Sequence, residues 1–278
     1  MSNILRAFIN IIENYQTEIE TITQGNNRAN NMGEGLEDYI KNSFLNPKDI
    51  NNLEALAKVY SYQGNKNNPP DLMLKNGDAI EIKKLESKNS AIALNSSYPK
   101  AKLYSDSPMI TNFCRECEEW SIKDMLYAIG YIKQNSLKSL WLVYGDCFCA
   151  DKEIYERIKN TISNGINSIS DVEFTETKEL GKVKKVDPLG ITDLRIRGMW
   201  HIENPNKTFD YLYQYDESKQ FQLICLMTLE KYNSLPCIDK EMIENIDNSS
   251  VEVREVKIKN PNNPAKLIDG ILLGFKGI

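Results

Sequence analysis

A chain of 278 residues with 41% hydrophobic and 26% charged residues has ordinary globular composition and enough length for a sizeable core. A formal net charge of −5 excludes a protein that coats nucleic acid through a uniformly basic surface, so any grip on a polyanion must come from a local basic cleft. No apolar run reaches the length of a bilayer span and the N-terminus lacks a signal-peptide pattern; a soluble, cytoplasmic protein with its six cysteines reduced is expected.

The chain opens on helical patterns. Ile4, Leu5, Phe8, Ile11 and Ile12 share one stripe, and helices are expected over roughly 2–22, 33–45 and 50–59. Between the first two lies a polar, turn-prone loop at 24–31. Its Asn27, Arg28, Asn30 and Asn31 carry donors and acceptors suited to phosphates and groove edges. Leu36, Tyr39, Ile40 and Phe44 then recur at helical spacing.

A hairpin is predicted over 71–85. Asn76-Gly77 is a strong turn signal, with positive φ required at both central positions, and Leu72, Met73, Leu74, Ala79, Ile80 and Ile82 flank it. Side chains alternate along a strand, so Glu81 and Lys83 project from one face and Ile80 and Ile82 from the other. Asp71 enters the first strand where its partner carries Glu81. Two carboxylates and an ammonium thus converge at one end of a hairpin whose other face is buried. Such a site suits a hard divalent cation, Mg2+ first, and its usual substrate is a phosphate ester. The motif is short, and a plain surface hairpin with solvated charges is the competing reading. The single histidine, His201, excludes mechanisms that need two.

Beyond the hairpin, 92–108 is irregular and polar. Ser96, Ser97, Tyr98, Lys100 and Lys102 fall there and read as a DNA-facing loop. A helix is expected over 116–133, with Trp120, Ile122, Met125, Leu126, Ile129 and Ile132 on its apolar side. The nearly continuous apolar run at 139–145 reads as a central strand covered on both faces, which the helix would join as a crossover. Another helix is expected within 151–168, ending near Asn164-Gly165. The alternating stretch 191–205 reads as a strand with Arg195 and Arg197 on one face. Paired arginines suit bidentate contacts to guanine N7 and O6 or to phosphates; salt bridges to neighbours such as Asp193 are the alternative. Strands are expected at 221–227 and 251–259, and a turn-rich connection at 260–266 before 267–273. Cys114 with Cys117, and Cys147 with Cys149, raise a structural zinc ion, but no knuckle-like glycine follows either pair and buried thiols are the default.

Together these elements describe one α/β domain with a mixed central β-sheet flanked by helices, a catalytic core at about 1–150 and a β-rich C-terminal elaboration at about 151–278 for recognition or dimerisation. Pro70-Asp71 followed by Glu81-Ile82-Lys83 matches the motif of the PD-(D/E)xK nuclease superfamily. With Asn27-Arg28-Ala29-Asn30-Asn31-Met32-Gly33-Glu34-Gly35-Leu36-Glu37 before it and Asn95-Ser96-Ser97-Tyr98-Pro99-Lys100 after it, the chain resembles type II restriction endonucleases. More narrowly, it resembles a family whose members cut GGCC. The similarity extends from about residue 1 to beyond residue 200.

That resemblance implies a restriction-endonuclease-like core and a Mg2+-dependent homodimer cutting both strands of double-stranded DNA at a short palindrome. A cognate methyltransferase would be its genetic partner. It implies Asp71 and Glu81 as metal ligands and Lys83 as the group that positions the attacking water. Glu37, on the helix before the hairpin, would complete the metal site, with Glu34 the second choice. Two alternatives stay open: a structure-specific repair or recombination nuclease with the same site, and a non-enzymatic, zinc-containing DNA-binding module.

Overall fold

Apolar runs without polar alternation cannot face water on either side, and here they form the middle of a sheet. The computed structural model describes residues 2–14, 17–19, 28–50, 52–65, 68–246 and 249–277, with the backbone alone at 28–34 and 65. Helices α1 (Ile4–Glu13), α2 (Arg28–Ser43) and α3 (Leu53–Val59) lead into strands β1 (Tyr60–Asn65), β2 (Asn68–Leu74) and β3 (Ala79–Leu85). Strands β4 (Ile92–Asn95) and β5 (Lys102–Tyr104) and helix α4 (Asn112–Glu116) precede β6 (Ile122–Lys133) and β7 (Ser136–Tyr144). Then come α5 (Gly145–Phe148), α6 (Lys152–Asn167), β8 (Gly181–Val183), β9 (Leu194–Ile196), β10 (Trp200–Ile202) and α7 (Pro205–Thr208). The chain closes with β11 (Gln222–Thr228), α8 (Leu229–Ser234), α9 (Cys237–Glu244), β12 (Val251–Asn260) and β13 (Asn263–Lys276).

Among the described residues the main sheet has nine strands in the order β1-β2-β3-β6-β7-β11-β13-β12, with β5 added against β6. It is mixed: β3 with β6 and β7 with β11 are parallel, and the other neighbours in that order are antiparallel. Both parallel pairs lie inside the sheet, where Ile80, Ala128, Leu142 and Leu226 are almost wholly buried. The C-terminal strands thus continue the sheet that begins with the hairpin.

Helix α1 follows from its pattern. Ile4, Leu5, Phe8, Ile11 and Ile12 are buried, and the Asn3 side chain caps the first turn by accepting from the N–H groups of Leu5 and Arg6. Asn3 Nδ2 and Arg6 Nε both reach Asp239 on α9, at 2.6 Å and 2.5 Å, which ties the two helices together. Burial of a side chain such as Phe8 contributes roughly 1.5–3 kcal/mol.

Several expectations are corrected. The helix predicted over 116–133 is a helix only at 112–116, and 122–133 is strand β6. Residues 125–132 are all buried, and a strand covered on both faces shows no alternation that would separate it from a buried helix. The crossover from β3 to β6 therefore runs through β4, β5 and α4. Positive φ at both central turn positions occurs at Gln134 and Asn135, between β6 and β7, and not at Asn76-Gly77. At the predicted hairpin only Asn76 is left-handed, with φ 54°; the loop is wider, closed by Gly77 N donating to Leu74 O and Leu74 N donating to Asp78 O. Helix α2 begins at Arg28, so Arg28, Asn30 and Asn31 lie on a helix and not in a loop. Packing of Leu36 and Ile40 outweighs the local cost of Gly33 and Gly35. The strand read at 191–205 divides into β9 and β10, and β13 resumes at Asn263, so the connection at 260–266 shrinks to a tight turn.

All six cysteines are free thiols, with Cys114, Cys147, Cys149 and Cys225 buried. Among the described residues no helix is long and apolar enough to cross a membrane.

Candidate active site

The hairpin is held from its tip. Lys123, buried on β6, donates to Gly77 O at 2.8 Å and Leu74 O at 3.2 Å. Asp78 accepts from Tyr144 Oη and from Lys231 Nζ, each at 2.6 Å. Toward the other end, β3 alternates as its sequence requires: Ile80 and Ile82 are buried on one face, and Glu81 and Lys83 lie on the opposite face. Leu72 pairs with Ile80, and continuing that register one step sets Asp71 beside Glu81.

Asp71 Oδ2 accepts a hydrogen bond from Ile82 N at 2.6 Å, which fixes the carboxylate across the strand pair. Lys83 Nζ lies 2.7 Å from Glu81 Oε1 and 3.9 Å from Asp71 Oδ2. The side chains are 20% (Asp71), 15% (Glu81) and 24% (Lys83) exposed, open enough to meet a substrate and dry enough for their charges to interact strongly. Glu81 Oε2 is buried with no hydrogen-bond partner among the described residues.

Burial and then the Glu81 charge push the Asp71 carboxyl up to about 7; Lys83 and the Ile82 N–H pull it back, and Glu37 adds to the upward push. Burial opposes the charge of Lys83, but Glu81 and Asp71 outweigh it and hold the ammonium above its ordinary value. One ammonium does not balance these carboxylates. An orphaned carboxylate oxygen beside a carboxyl that resists ionisation is a donor pair fitted to a hard cation, and Asp71 and Glu81 would hold it. Glu37 is exposed on α2, close enough for its charge to reach Asp71 and Lys83. Among the described residues no group of three or more ligating side chains is already gathered for a metal ion. The Glu34 side chain lies outside the described residues.

Two glycines set these elements. A Cβ on Gly64, at the bulge of β1, would stand 2.2 Å from Pro70 O and 3.0 Å from Asp71 O. Only hydrogen lets β1 lie so close behind the strand that carries Asp71. A Cβ on Gly130 would stand 2.8 Å from Leu36 Cδ2, so this glycine seats α2 against the sheet. The sequence reading passed over both. An isolated glycine inside a strand-like run was the available signal at Gly64.

Asp71, Glu81 and Lys83 form one wall of a cleft. Asn95, Ser96 and Ser97 form a second, and Arg197, Gly198 and Met199 a third. Of the residues expected at DNA, the fold therefore brings Ser96, Ser97 and Arg197 to the carboxylates. Arg195 stands beside Arg197, and both are bound to Glu179, not to Asp193, which pairs with Lys182.

The remaining candidates are placed differently. Tyr98 is an anchor of its loop: its Oη donates to Glu156 Oε1 at 2.8 Å, and its ring stacks on Tyr155 and meets the edge of Trp200. Lys100 does not face outward. It is 8% exposed, donates to Ser97 Oγ and Tyr98 O, and burial pushes its ammonium down to about 8 although Glu81 favours the charge. Lys102 pairs with Asp124. Asn27 lies outside the described residues, as do the side chains of Arg28, Asn30 and Asn31.

The sequence matches the family model of the NgoPII restriction endonuclease over residues 2–259. It is 47% identical over 277 residues to the type II restriction enzyme NgoPII of Neisseria gonorrhoeae, an alignment that covers 98% of this chain and 99% of that relative. No solved structure matches it. Likeness over nearly the whole length shows that the chain belongs to the NgoPII restriction endonuclease family.

Proposed function

We propose that this restriction endonuclease hydrolyses phosphodiester bonds in double-stranded DNA at a short palindrome, GGCC, using Mg2+ held by Asp71 and Glu81. The observation that carries the reading is the buried, unpartnered Oε2 of Glu81 beside the raised Asp71 carboxyl, with Lys83 between them. When bound, Mg2+ lowers the pKa of water and offsets charge that builds on the phosphoryl oxygens.

The chain's own groups do the rest. The Ile82 N–H holds Asp71 in one orientation, so the ligand set is organised before substrate arrives. Lys83, kept charged by its two carboxylates, positions the attacking water at the scissile phosphate. Glu37 supports the site with negative charge from α2. Ser96 and Ser97 offer hydroxyls to the phosphate backbone from the facing wall, and Arg195 and Arg197 reach base edges or phosphates. Asn27, Arg28, Asn30 and Asn31 contribute further contacts to the duplex.

The β2-β3-β6-β7 segment of the sheet serves as the restriction-endonuclease-like core of a single domain, and the second half of the chain supplies recognition. A palindrome is two-fold symmetric, which favours a homodimer in which each subunit cuts one strand. A methyltransferase of the same specificity would protect host DNA in the cytoplasm.

Digestion of unmethylated phage DNA by purified protein in Mg2+, Ca2+ or EDTA tests this. Discrete fragments in Mg2+ alone, of the sizes that GGCC sites dictate, are expected. A smear would remove sequence specificity, and intact DNA in every condition would remove the reading altogether.

A further inference from the structure

Glu179 was not among the residues singled out by motif, yet it organises the only paired arginines near the cleft among the described residues. Arg195 Nε donates to Glu179 Oε2 at 2.9 Å and Arg195 Nη2 to Oε1 at 2.7 Å; Arg197 Nε donates to Oε1 at 2.5 Å. Both guanidiniums are therefore gripped by the Nε side. The Nη atoms of Arg197, and Nη1 of Arg195, make no hydrogen bond among the described residues, and the two side chains stay 54% and 53% exposed. A guanidinium held this way offers its far edge, the edge that can meet guanine O6 and N7 as a pair.

Charge and connectivity point the same way. One carboxylate shared by two arginines leaves a net positive charge at the clamp. The stretch 181–198 carries five basic and two acidic residues in a chain whose net charge is −5. Glu179 lies just before β8, where Leu180 N donates to Ile196 O and Lys182 pairs with Arg195, so the pairing of β8 with β9 places it against both arginines. Past Arg197 the chain enters β10, which pairs with β4 through Trp200 and Asn95. Strand β4 leads directly into the Ser96 and Ser97 wall of the cleft. The Glu179 side chain is only 13% exposed while both arginines stay open, so the carboxylate serves as the inner anchor from which the guanidiniums are presented.

We infer that Glu179 is a positioning residue for base recognition, holding Arg195 and Arg197 with their outer edges toward a guanine beside the scissile phosphate. The inference rests on the reading that this cleft takes DNA. Glu179→Gln keeps the size of the side chain and removes the charge that clamps both arginines.

The test starts from the site mapped with wild-type protein on unmethylated phage DNA. A duplex carrying that site is compared with duplexes in which single guanines are replaced by 7-deazaguanine, for wild type, Glu179→Gln, Glu179→Asp and Arg197→Ala. The wild type should lose about tenfold in kcat/KM at the guanine that an arginine reads. Arg197→Ala and Glu179→Gln should each lower kcat/KM on the unmodified duplex and shrink that penalty toward one. Glu179→Asp should restore part of it, with Tm unchanged throughout. If Arg197→Ala erases the penalty while Glu179→Gln keeps it, with or without slower cutting, the positioning role is wrong. If no guanine substitution affects the wild type, the base contact is wrong as well. If wild type yields no discrete fragments, the endonuclease reading fails first and takes this one with it.

Discussion

The wall of the cleft that carries Asp71, Glu81 and Lys83 is built on strands inside the main sheet, whereas the wall that carries Arg197 lies between the short strands β9 and β10, which belong to two separate two-stranded sheets. On the first, backbone does the holding: Ile82 N grips Asp71, Gly64 lets β1 press against it, and the hairpin tip is pinned by Lys123, Tyr144 and Lys231. On the second, side chains do it, through one carboxylate on two half-exposed arginines. On the proposed function, chemistry that demands sub-ångström placement falls to the rigid wall, and contacts that must adapt to a duplex fall to the softer one.

The sharpest way to break this contrast is to remove a group from the rigid wall. Asp71→Ala or Lys83→Ala should lower cleavage by about a thousandfold or more while a gel-shift assay still detects binding of the site. Normal cutting by either variant would show that the chemistry lies elsewhere. Next in size is the backbone that carries Asp71. Gly64→Ala forces a Cβ onto Pro70 O, and a displacement of that order should reduce kcat by about 10–100-fold with KM little changed. Full activity in that variant would mean that the carboxylate tolerates movement and the wall is not rigid.

The third test reads electrostatics without catalysis. The Asp71 carboxyl is held up to about 7 in the metal-free fold, above the ordinary carboxylate value it takes when unfolded. Between those values the unfolded chain releases a proton that the folded chain keeps. Stability therefore falls as pH rises from about 4 to about 7 and is level above that. In EDTA, the difference in urea stability between Asp71→Asn and wild type should grow over that interval, and a flat difference would refute the upward shift of the Asp71 carboxyl. The smallest effect is expected where the soft wall is merely anchored. Tyr98→Phe loses one hydrogen bond to Glu156 but keeps the stack on Tyr155, and should cost about 1 kcal/mol in stability with kcat nearly unchanged. A large loss of activity there would give Tyr98 a direct role at DNA.

The rigid wall was also the readable one. Alternation across Ile80, Glu81, Ile82 and Lys83, with Asp71 across the turn, involves pairs about ten residues apart, and a strand's period of two decides which side chains share a face. The same rule gave the wrong element at 122–133, because Met125, Leu126, Ile129 and Ile132 match a helical stripe as well as a strand buried on both sides. The burial of Lys100 is hidden from the sequence for a related reason. A lysine in a polar loop is ordinarily solvated, and nothing local shows that Tyr127 and Ser97 will enclose it.

The sequence by itself determined the pairing of Asp71 with Glu81 and Lys83 on one hairpin, the α1 stripe, the buried character of β7 and the family, because each rests on short-range spacing or on likeness along the chain. Tertiary structure alone decided which distant segments face the carboxylates. The parallel pairing of β3 with β6 and the pairing of β4 with β10 join residues far apart in the chain. No local period encodes such a meeting, since it depends on which surfaces remain to be covered once the sheet has closed around its core.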